Sequence, residues 1–328
     1  MDNLIIYVLI LLVAFLSTVI LCKPLISFLR RKRIGQNILD IGPKWHKGKE
    51  GTPTMGGLCF LVALTLILFV AGIIFFNKFT ENFNMFIGVI LYSLLNGCIG
   101  IIDDVLKTRK GKNEGLTARA KFSLQGFWTI AFIGYLQFVG KISTSVDFSF
   151  LNLTVDFGFV YYILIFFVLC GFVNAVNLTD GLDGLASSTT STVGLFLLIS
   201  SIILDKFELG LVGTCLLGAT LGFLVFNKHP AKVFMGDTGS LFLGGIVASS
   251  ALMFNNPLII LLYGFIFLFE AFSVIIQVVY FKISKGKRIF KMAPFHHHLE
   301  KSGWEENRVV ITLTLINLIF CLLALFII

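Results

Sequence analysis

The sequence predicts an all-α integral membrane protein with about ten transmembrane helices, both termini on the outer side and its chemistry on the cytoplasmic face. Three observations predict it. The 328 residues are 57% hydrophobic and only 13% charged, well below the charge of a soluble domain, and the mean hydropathy is +0.93. Ten apolar runs, near 4–22, 55–76, 83–102, 122–140, 158–174, 185–204, 209–226, 238–254, 257–281 and 309–328, approach the length that crosses a bilayer core. With Met1 outside and spans alternating, the inner loops hold 22 of the 26 Lys and Arg residues and the outer loops 3. A bias of that size in short loops sets orientation by the positive-inside rule.

The first run opens Met1-Asp2-Asn3 without a basic segment and is followed by Arg30-Arg31-Lys32-Arg33, so it is expected to be an uncleaved first span rather than a signal peptide. The first inner loop ends in Gly51-Thr-Pro-Thr-Met-Gly-Gly57. Thr52 is expected to cap the second span, and Gly56-Gly57 to permit close backbone approach. The third run ends in Asp103-Asp104, and the loop after it closes with Arg119 and Lys121. Lys141–Phe157 alternates in Val146-Asp-Phe-Ser-Phe-Leu-Asn-Leu-Thr-Val-Asp-Phe157, a period of two that predicts a small outer hairpin. Between the fifth and sixth runs lies Asn174–Leu185, with Asp180, Asp183, Gly181 and Gly184. The fourth inner loop carries Phe234-Met-Gly-Asp237, and the fifth Pro294-Phe-His-His-His298. No internal repeat or soluble insert interrupts the pattern, so residues 1–328 read as one polytopic domain. The six cysteines lie in apolar runs without a C-x-x-C pair and read as small buried hydrophobes.

Asp103, Asp104, Asp180, Asp183 and Asp237 stand at the ends of apolar runs. A carboxylate at that depth is costly unless a cation neutralises it. One such aspartate is most simply a helix cap; five on one membrane face make a hard-oxygen environment that suits Mg²⁺. Asp180 and Asp183, three apart, would share one side of a helical turn. Lys47, Lys107, Lys112, Arg119, Lys121 and Lys232 flank these acids. They answer the positive-inside rule singly and could clamp phosphate together. The triple His296-His297-His298 admits a pH-sensitive role, a phosphate or sugar contact, or an exposed polar turn; zinc is disfavoured because no cysteine is near. Glu270 and Gln277 share a face of the ninth run, Glu270 deeper and Gln277 nearer the inner end. The net charge of +8 reports topology and anionic lipid first, and an anionic substrate second. Nucleic acid is not an expected partner. No Walker A, G-x-G-x-x-G or G-x-S-x-G occurs.

Taken together, Asp103-Asp104, Asn177-Leu-Thr-Asp-Gly-Leu-Asp-Gly184 and Phe234-Met-Gly-Asp-Thr-Gly-Ser240 resemble the signature loops of the polyprenyl-phosphate N-acetylhexosamine-1-phosphate transferases. Gly51–Gly57 and Ala293-Pro-Phe-His-His-His-Leu-Glu300 are similar to the branch that uses UDP-MurNAc-pentapeptide. The resemblance covers nearly the whole chain. It implies transfer of phospho-MurNAc-pentapeptide from that donor to undecaprenyl phosphate, with UMP leaving and lipid I remaining, in a bacterial plasma (inner) membrane. It further implies Mg²⁺ on Asp237, with Asp103 and Asp104 as further candidate ligands, and one of that pair orienting or deprotonating the lipid phosphate. Asp180 and Asp183 would line the nucleotide pocket. Lys121, His296, His297 and His298 would contact phosphate, and Lys47 and Thr52 the sugar-nucleotide. Asn177 would belong to the central loop of the site, and Asn227, Phe234 and Gln277 would complete the pocket. Direct attack is favoured over a covalent aspartyl intermediate, because the lipid phosphate is already a nucleophile. Enzymes of this type often pair, so a homodimer is an allowed state. The competing expectations are a UDP-N-acetylglucosamine transferase, against which the unbroken histidine triple argues, and an anion transporter, for which only Glu270 speaks.

Overall fold

The computed structural model describes residues 2–32, 34, 35, 49–79, 82–110, 115–148 and 151–328. Lys47 lies outside the described residues, as do Arg33, Asp40, Lys44, Lys112 and Glu114. The apolar runs become helices α1 (Asn3–Arg31), α2 (Gly57–Ile74), α3 (Phe83–Lys110), α4 (Ala118–Phe138), α5 (Phe159–Thr179), α6 (Leu185–Ile203), α7 (Phe207–Asn227), α8 (Gly236–Ser250), α9 (Ile260–Tyr263), α10 (Phe265–Ile283), α11 (Phe295–Glu300) and α12 (Glu306–Leu325). Eight of them, α1–α3, α5–α7, α10 and α12, are long and apolar enough to cross a membrane. Strands β1 (Ser145–Phe148) and β2 (Leu153–Asp156) pair antiparallel with Val146 opposite Val155, forming the expected hairpin.

Burial sorts the helices into an inner and an outer set. Every residue of α8 from Thr238 to Ser250 is buried, and most of α7 and α6. α1, α10 and α12 leave most of their apolar surface uncovered: Leu16, Ile20, Ile275, Val279, Ile311 and Ile319 are all exposed. Uncovered apolar area on that scale needs lipid rather than water. Buried polar groups find partners between helices, as where Tyr92 Oη meets Thr129 Oγ1 at 2.9 Å and Asn174 Nδ2 donates to Gln125 Oε1 at 2.6 Å.

α4 and α8 are not among the eight, and their contacts mark where each begins and ends. α4 begins beside the aspartates at Lys121, and near its other end Tyr135 donates to Asn84 O at the start of α3. α8 carries Asp237 in its first turn, and in the turn that follows it Met253 O accepts from Lys206 Nζ at 2.8 Å. α8 is only 15 residues long, but its neighbours rather than lipid surround it.

Several expectations need correction. Thr52 does not cap α2; the cap position is Gly56, without a side-chain hydrogen bond. Thr52 donates its N–H to Lys49 O, shaping the loop instead. The ninth run is not continuous: it breaks at Gly264. Asn317 of α12 holds the break, accepting from Ile266 N at 3.1 Å and donating to Tyr263 O at 3.0 Å. Backbone groups freed at membrane depth require such a protein partner. Cys22 of α1 and Cys59 of α2 meet in the core, but Cys98 is exposed, so not every cysteine is a small buried filler.

Candidate active site

α8 sets the position of the site. Its entry carries Gly236 at φ +69°, a left-handed turn, and a Cβ there would run into Asp104 Oδ2. Gly100 of α3 lies against the Asp237 carbonyl, and Gly57 of α2 against Gly239, so no side chain separates these backbones. The Gly56-Gly57 pair does permit the close approach expected of it.

That approach lets Asp104, on the last turns of α3, cap α8 from outside. Asp104 Oδ2 accepts from Thr238 N at 2.9 Å and Thr238 Oγ1 at 2.7 Å, and Oδ1 from Asp237 N at 3.2 Å. These are the orphan donors of a helix N-terminus, where a carboxylate also meets the favourable end of the helix dipole. Asp103 faces the other way. Its Oδ1 accepts from Leu116 N at 2.7 Å, and its Oδ2 lies 2.6 Å from Lys107 Nζ and 3.2 Å from Lys121 Nζ. Asp237 Oδ2 is paired with Lys121 and lies 3.1 Å from Lys107, while Oδ1 accepts from Asn177 Nδ2 at 3.1 Å. Asn177 also donates to Ser240 Oγ at 2.7 Å. One carboxylate oxygen from each of Asp103, Asp104 and Asp237 lies within 4.8 Å of the other two. Three carboxylates against two ammoniums leave a negative balance that a divalent cation would correct, and the donors are all the hard oxygens that Mg²⁺ prefers.

Asp180 and Asp183 do not share a side. The chain leaves α5 at Asp180 and turns through Gly184 at φ +80°. Asp180 stays in the field of the aspartates. Burial first, then the charges of Asp237, Asp104 and Asp183, push its carboxyl well above the ordinary range. Asp183 turns into a second cluster: its Oδ1 is 2.7 Å from Lys49 Nζ, and its Oδ2 accepts from Ala231 N at 2.9 Å and lies 3.1 Å from His229 Nδ1. Glu306 closes the ring, 2.6 Å from Lys49 and 3.2 Å from His229. Burial raises the Asp183 carboxyl, but the Lys49 hydrogen bond and charge outweigh it and the net direction is down.

The remaining candidates separate. His296 is fully buried on α11, with its Nε2 where a Cβ at Gly181 would fall, so it reaches the central loop. His297 pairs with Glu300 at 2.8 Å, and His298 Nδ1 accepts from Lys291 N at 3.0 Å; both serve their own loop. Gln277 accepts from Ile289 N and Phe290 N and donates to Phe290 O, holding the loop before α11 rather than facing the aspartates. Asn227 donates to Val233 O at 3.0 Å and accepts from Ser187 at 3.0 Å, tying down the loop that leads to α8. Phe234, half-buried, lies on that loop and pairs its N–H with Pro53 O at 2.8 Å, next to Thr52. The site therefore gathers Asp103, Asp104, Asp237, Lys121, Asn177 and Asp180, with His296 at its edge.

Lys107 belongs with them, although sequence reading placed it only among flanking cations. Its spacing of three and four from Asp104 and Asp103 on one helix was the available signal. The Lys49–Asp183–His229–Glu306 ring gave none, since its members come from four separate segments.

The family model for glycosyl transferase family 4 matches residues 86–255. A phospho-N-acetylmuramoyl-pentapeptide-transferase signature matches residues 49–61. A phospho-N-acetylmuramoyl-pentapeptide-transferase of Halalkalibacterium halodurans is 44% identical over 318 residues, covering 96% of this chain and 95% of its own. One of Clostridium perfringens strain 13 is 45% identical over 317 residues, 95% of each chain. One of Staphylococcus carnosus is 42% identical, covering 96% of this chain and 97% of its own.

Proposed function

The chain belongs to glycosyl transferase family 4, among the phospho-N-acetylmuramoyl-pentapeptide-transferases, and from that membership we propose how its residues carry the reaction. Undecaprenyl phosphate attacks the β-phosphorus of UDP-MurNAc-pentapeptide. A new P–O–P bond forms to the lipid, the bond to UMP breaks, and lipid I stays in the membrane. One phosphoanhydride replaces another, so no nucleotide-hydrolysis loop is required. The observation that carries the reading is the Asp103–Asp237–Lys107–Lys121 constellation at three helix ends.

Asp104 is committed to the start of α8, so it positions Asp237. Asp103 is left as the group that orients the lipid phosphate. Mg²⁺, when bound, would be held by Asp237 with Asp103 beside it, and would offset diphosphate charge. Lys107 and Lys121 stabilise charge on the transferring phosphoryl group. Asn177 fixes the Asp237 carboxylate through Oδ1, while Oδ2 faces Lys107 and Lys121. Asp180 and Phe234 border the uridine side, and Lys47 and Thr52 the approach of the sugar-nucleotide. A phosphate-ester dianion needs no base, which favours direct attack.

The protein is a multi-pass membrane protein. We place it in the bacterial plasma membrane with ten spans, α4 and α8 included, both termini outside and the site on the cytoplasmic side. The 22-to-3 distribution of basic residues supports that orientation, and so does the gathering of Lys49, Lys107 and Lys121 at the site end.

The test is UMP release by purified protein in detergent, with undecaprenyl phosphate and UDP-MurNAc-pentapeptide, with and without Mg²⁺. Mg²⁺-dependent release abolished in Asp237→Ala is expected. Release with UDP-N-acetylglucosamine alone would overturn the donor assignment, and release indifferent to chelator would overturn the metal.

A further inference from the structure

Glu306 has no task in the scheme above, yet its one carboxylate joins three loops that lie far apart in the chain. It stands in the first turn of α12, and its side chain is 10% exposed. Oε1 accepts from Asp183 N of the central loop at 2.7 Å and from Lys49 Nζ of the first inner loop at 2.6 Å. Oε2 lies 3.2 Å from His229 Nδ1 of the fourth inner loop. A carboxylate in the first turn of a helix is already favoured by the helix dipole alone. Its neighbour Glu305 is of that plain kind, exposed and making no side-chain cap. Glu306 instead gives both oxygens to other segments. Further bonds close a circuit. Thr52 N donates to Lys49 O at 3.1 Å, Phe234 N to Pro53 O at 2.8 Å, and Ala231 N to Asp183 Oδ2 at 2.9 Å. The first loop is thereby tied to the fourth, the fourth to the central loop, and all three to α12. The apolar side of α12 supports the same place, where Val309 and Leu313 pack in one cluster with Leu182 and Leu185. Among the described residues, the ion pairs of Glu306 stay within this circuit and do not reach Asp103, Asp104 or Asp237.

We propose that Glu306 is a positioning residue for the nucleotide half of the donor: it fixes Asp183, Lys49 and His229 relative to one another, so that three loops present one preformed face to a uridine diphosphate. This rests on the reaction proposed above, in which Thr52, Asp180 and Phe234 border the sugar-nucleotide. Loops that are already tied together need not be ordered when the ligand arrives, and affinity gains by that saving. The bonds ask for no special charge state. A neutral His229 can share its Nδ1–H between Asp183 Oδ2, at 3.1 Å, and Glu306 Oε2. Lys49 uses two of its three ammonium donors on the two carboxylates. Because the circuit stands apart from the reacting carboxylates, its loss is expected in binding rather than in chemistry. Removal of an interaction made equally in the ground and transition states raises KM and leaves kcat unchanged.

Two readouts test it. UMP release is measured for the wild type, Glu306→Gln, Glu306→Asp and Glu305→Gln, with donor and lipid varied in turn. Binding of UDP to the same proteins is measured by calorimetry with Mg²⁺ and without lipid. Glu306→Gln keeps an acceptor for Asp183 N and removes the charge that holds Lys49. It is expected to weaken UDP binding and raise the donor KM by about tenfold, the scale on which contacting charged groups couple. The kcat and the KM for undecaprenyl phosphate are expected to stay within about twofold of wild type. Glu306→Asp recovers part of the loss, and Glu305→Gln, on the same helix end, behaves as wild type. In a Lys49→Met background, Glu306→Gln is expected to weaken UDP binding by less than about twofold more, because the two residues act as a unit. Unchanged UDP binding in Glu306→Gln, or a fall in kcat with the donor KM unmoved, would reduce Glu306 to a prop for α12 and overturn the proposal. Full additivity with Lys49→Met would do the same. A wild type that binds UDP but releases no UMP would instead sink the reaction, and the UDP titrations would still decide the role of Glu306.

Discussion

Asp104 and Asp180 show how differently two carboxylates of one site are used. Asp104 accepts from two backbone N–H groups and one hydroxyl of α8. Asp104→Asn can keep some of these bonds but turns an N–H₂ donor toward another donor. We expect it to cost about 1–3 kcal/mol, read as a lower Tm in detergent, and to reduce kcat because Asp237 loses its support. Asp180 carries the opposite sign. Burial and the surrounding aspartates raise its carboxyl in the folded protein. Such a group contributes most to folding below its ordinary pKa of about 3.9. The contribution fades as pH rises from there through the raised folded value. Asp180→Asn is therefore expected to raise Tm of the metal-free protein at neutral and alkaline pH, with the gain shrinking as pH falls toward about 4, while UMP release falls. Thermal unfolding of both proteins in chelator at two pH values checks it; a gain that is larger in acid would refute the assignment. A more stable, less active variant is the expected signature of a site whose charges are assembled against their own repulsion.

At the scale of elements, α8 is the part that fits its surroundings most tightly. Gly100→Ala would drive a methyl group into the Asp237 carbonyl. It is expected to destabilise by about 1–3 kcal/mol and to cut kcat by displacing Asp237. Gly134→Ala on α4 meets nothing within 4 Å and is expected to gain about 0.5–1 kcal/mol of helix stability with unchanged kcat. Paired thermal and kinetic measurements separate the two, and equal effects would remove the special role given to the α3–α8 contact. The helices were legible because a run of apolar residues carries its own length signal, and the polar islands because charge at helix ends stands out against such runs. The α10 break was not legible: Gly264 alone is weak punctuation, and the residue that holds it, Asn317, lies 51 positions from Ile266. The same limit misplaced Asn227 and Gln277. A polar residue at a helix end can face a pocket or fasten a loop, and only tertiary contacts distinguish these. Asp183 was grouped with Asp180 on helical spacing, which lost its meaning where the chain left the helix at Asp180.

At the scale of the molecule, α8 decides the topology. Composition alone finds eight membrane-length helices and leaves α4 and α8 aside. A 15-residue helix is about 22 Å long, short for a span that faces lipid. α8 is enclosed by α2, α3 and α5, however, and the short turn after it reaches Lys206, so protein rather than lipid satisfies its ends. The consequence is countable. Between Leu151, exposed at the hairpin, and Lys287, exposed after α10, the chain passes through α5, α6, α7, α8 and the α9–α10 pair. Five crossings put the two residues on opposite sides of the membrane, and four, without α8, put them on the same side. In a Cys98→Ser background, Leu151→Cys is expected to react with a membrane-impermeant maleimide on intact cells, and Lys287→Cys only after permeabilisation. Labelling of both on intact cells would remove α8 from the spans. The reverse order would turn the protein over and put the aspartates outside, where a nucleotide-sugar made in the cytoplasm could not reach them.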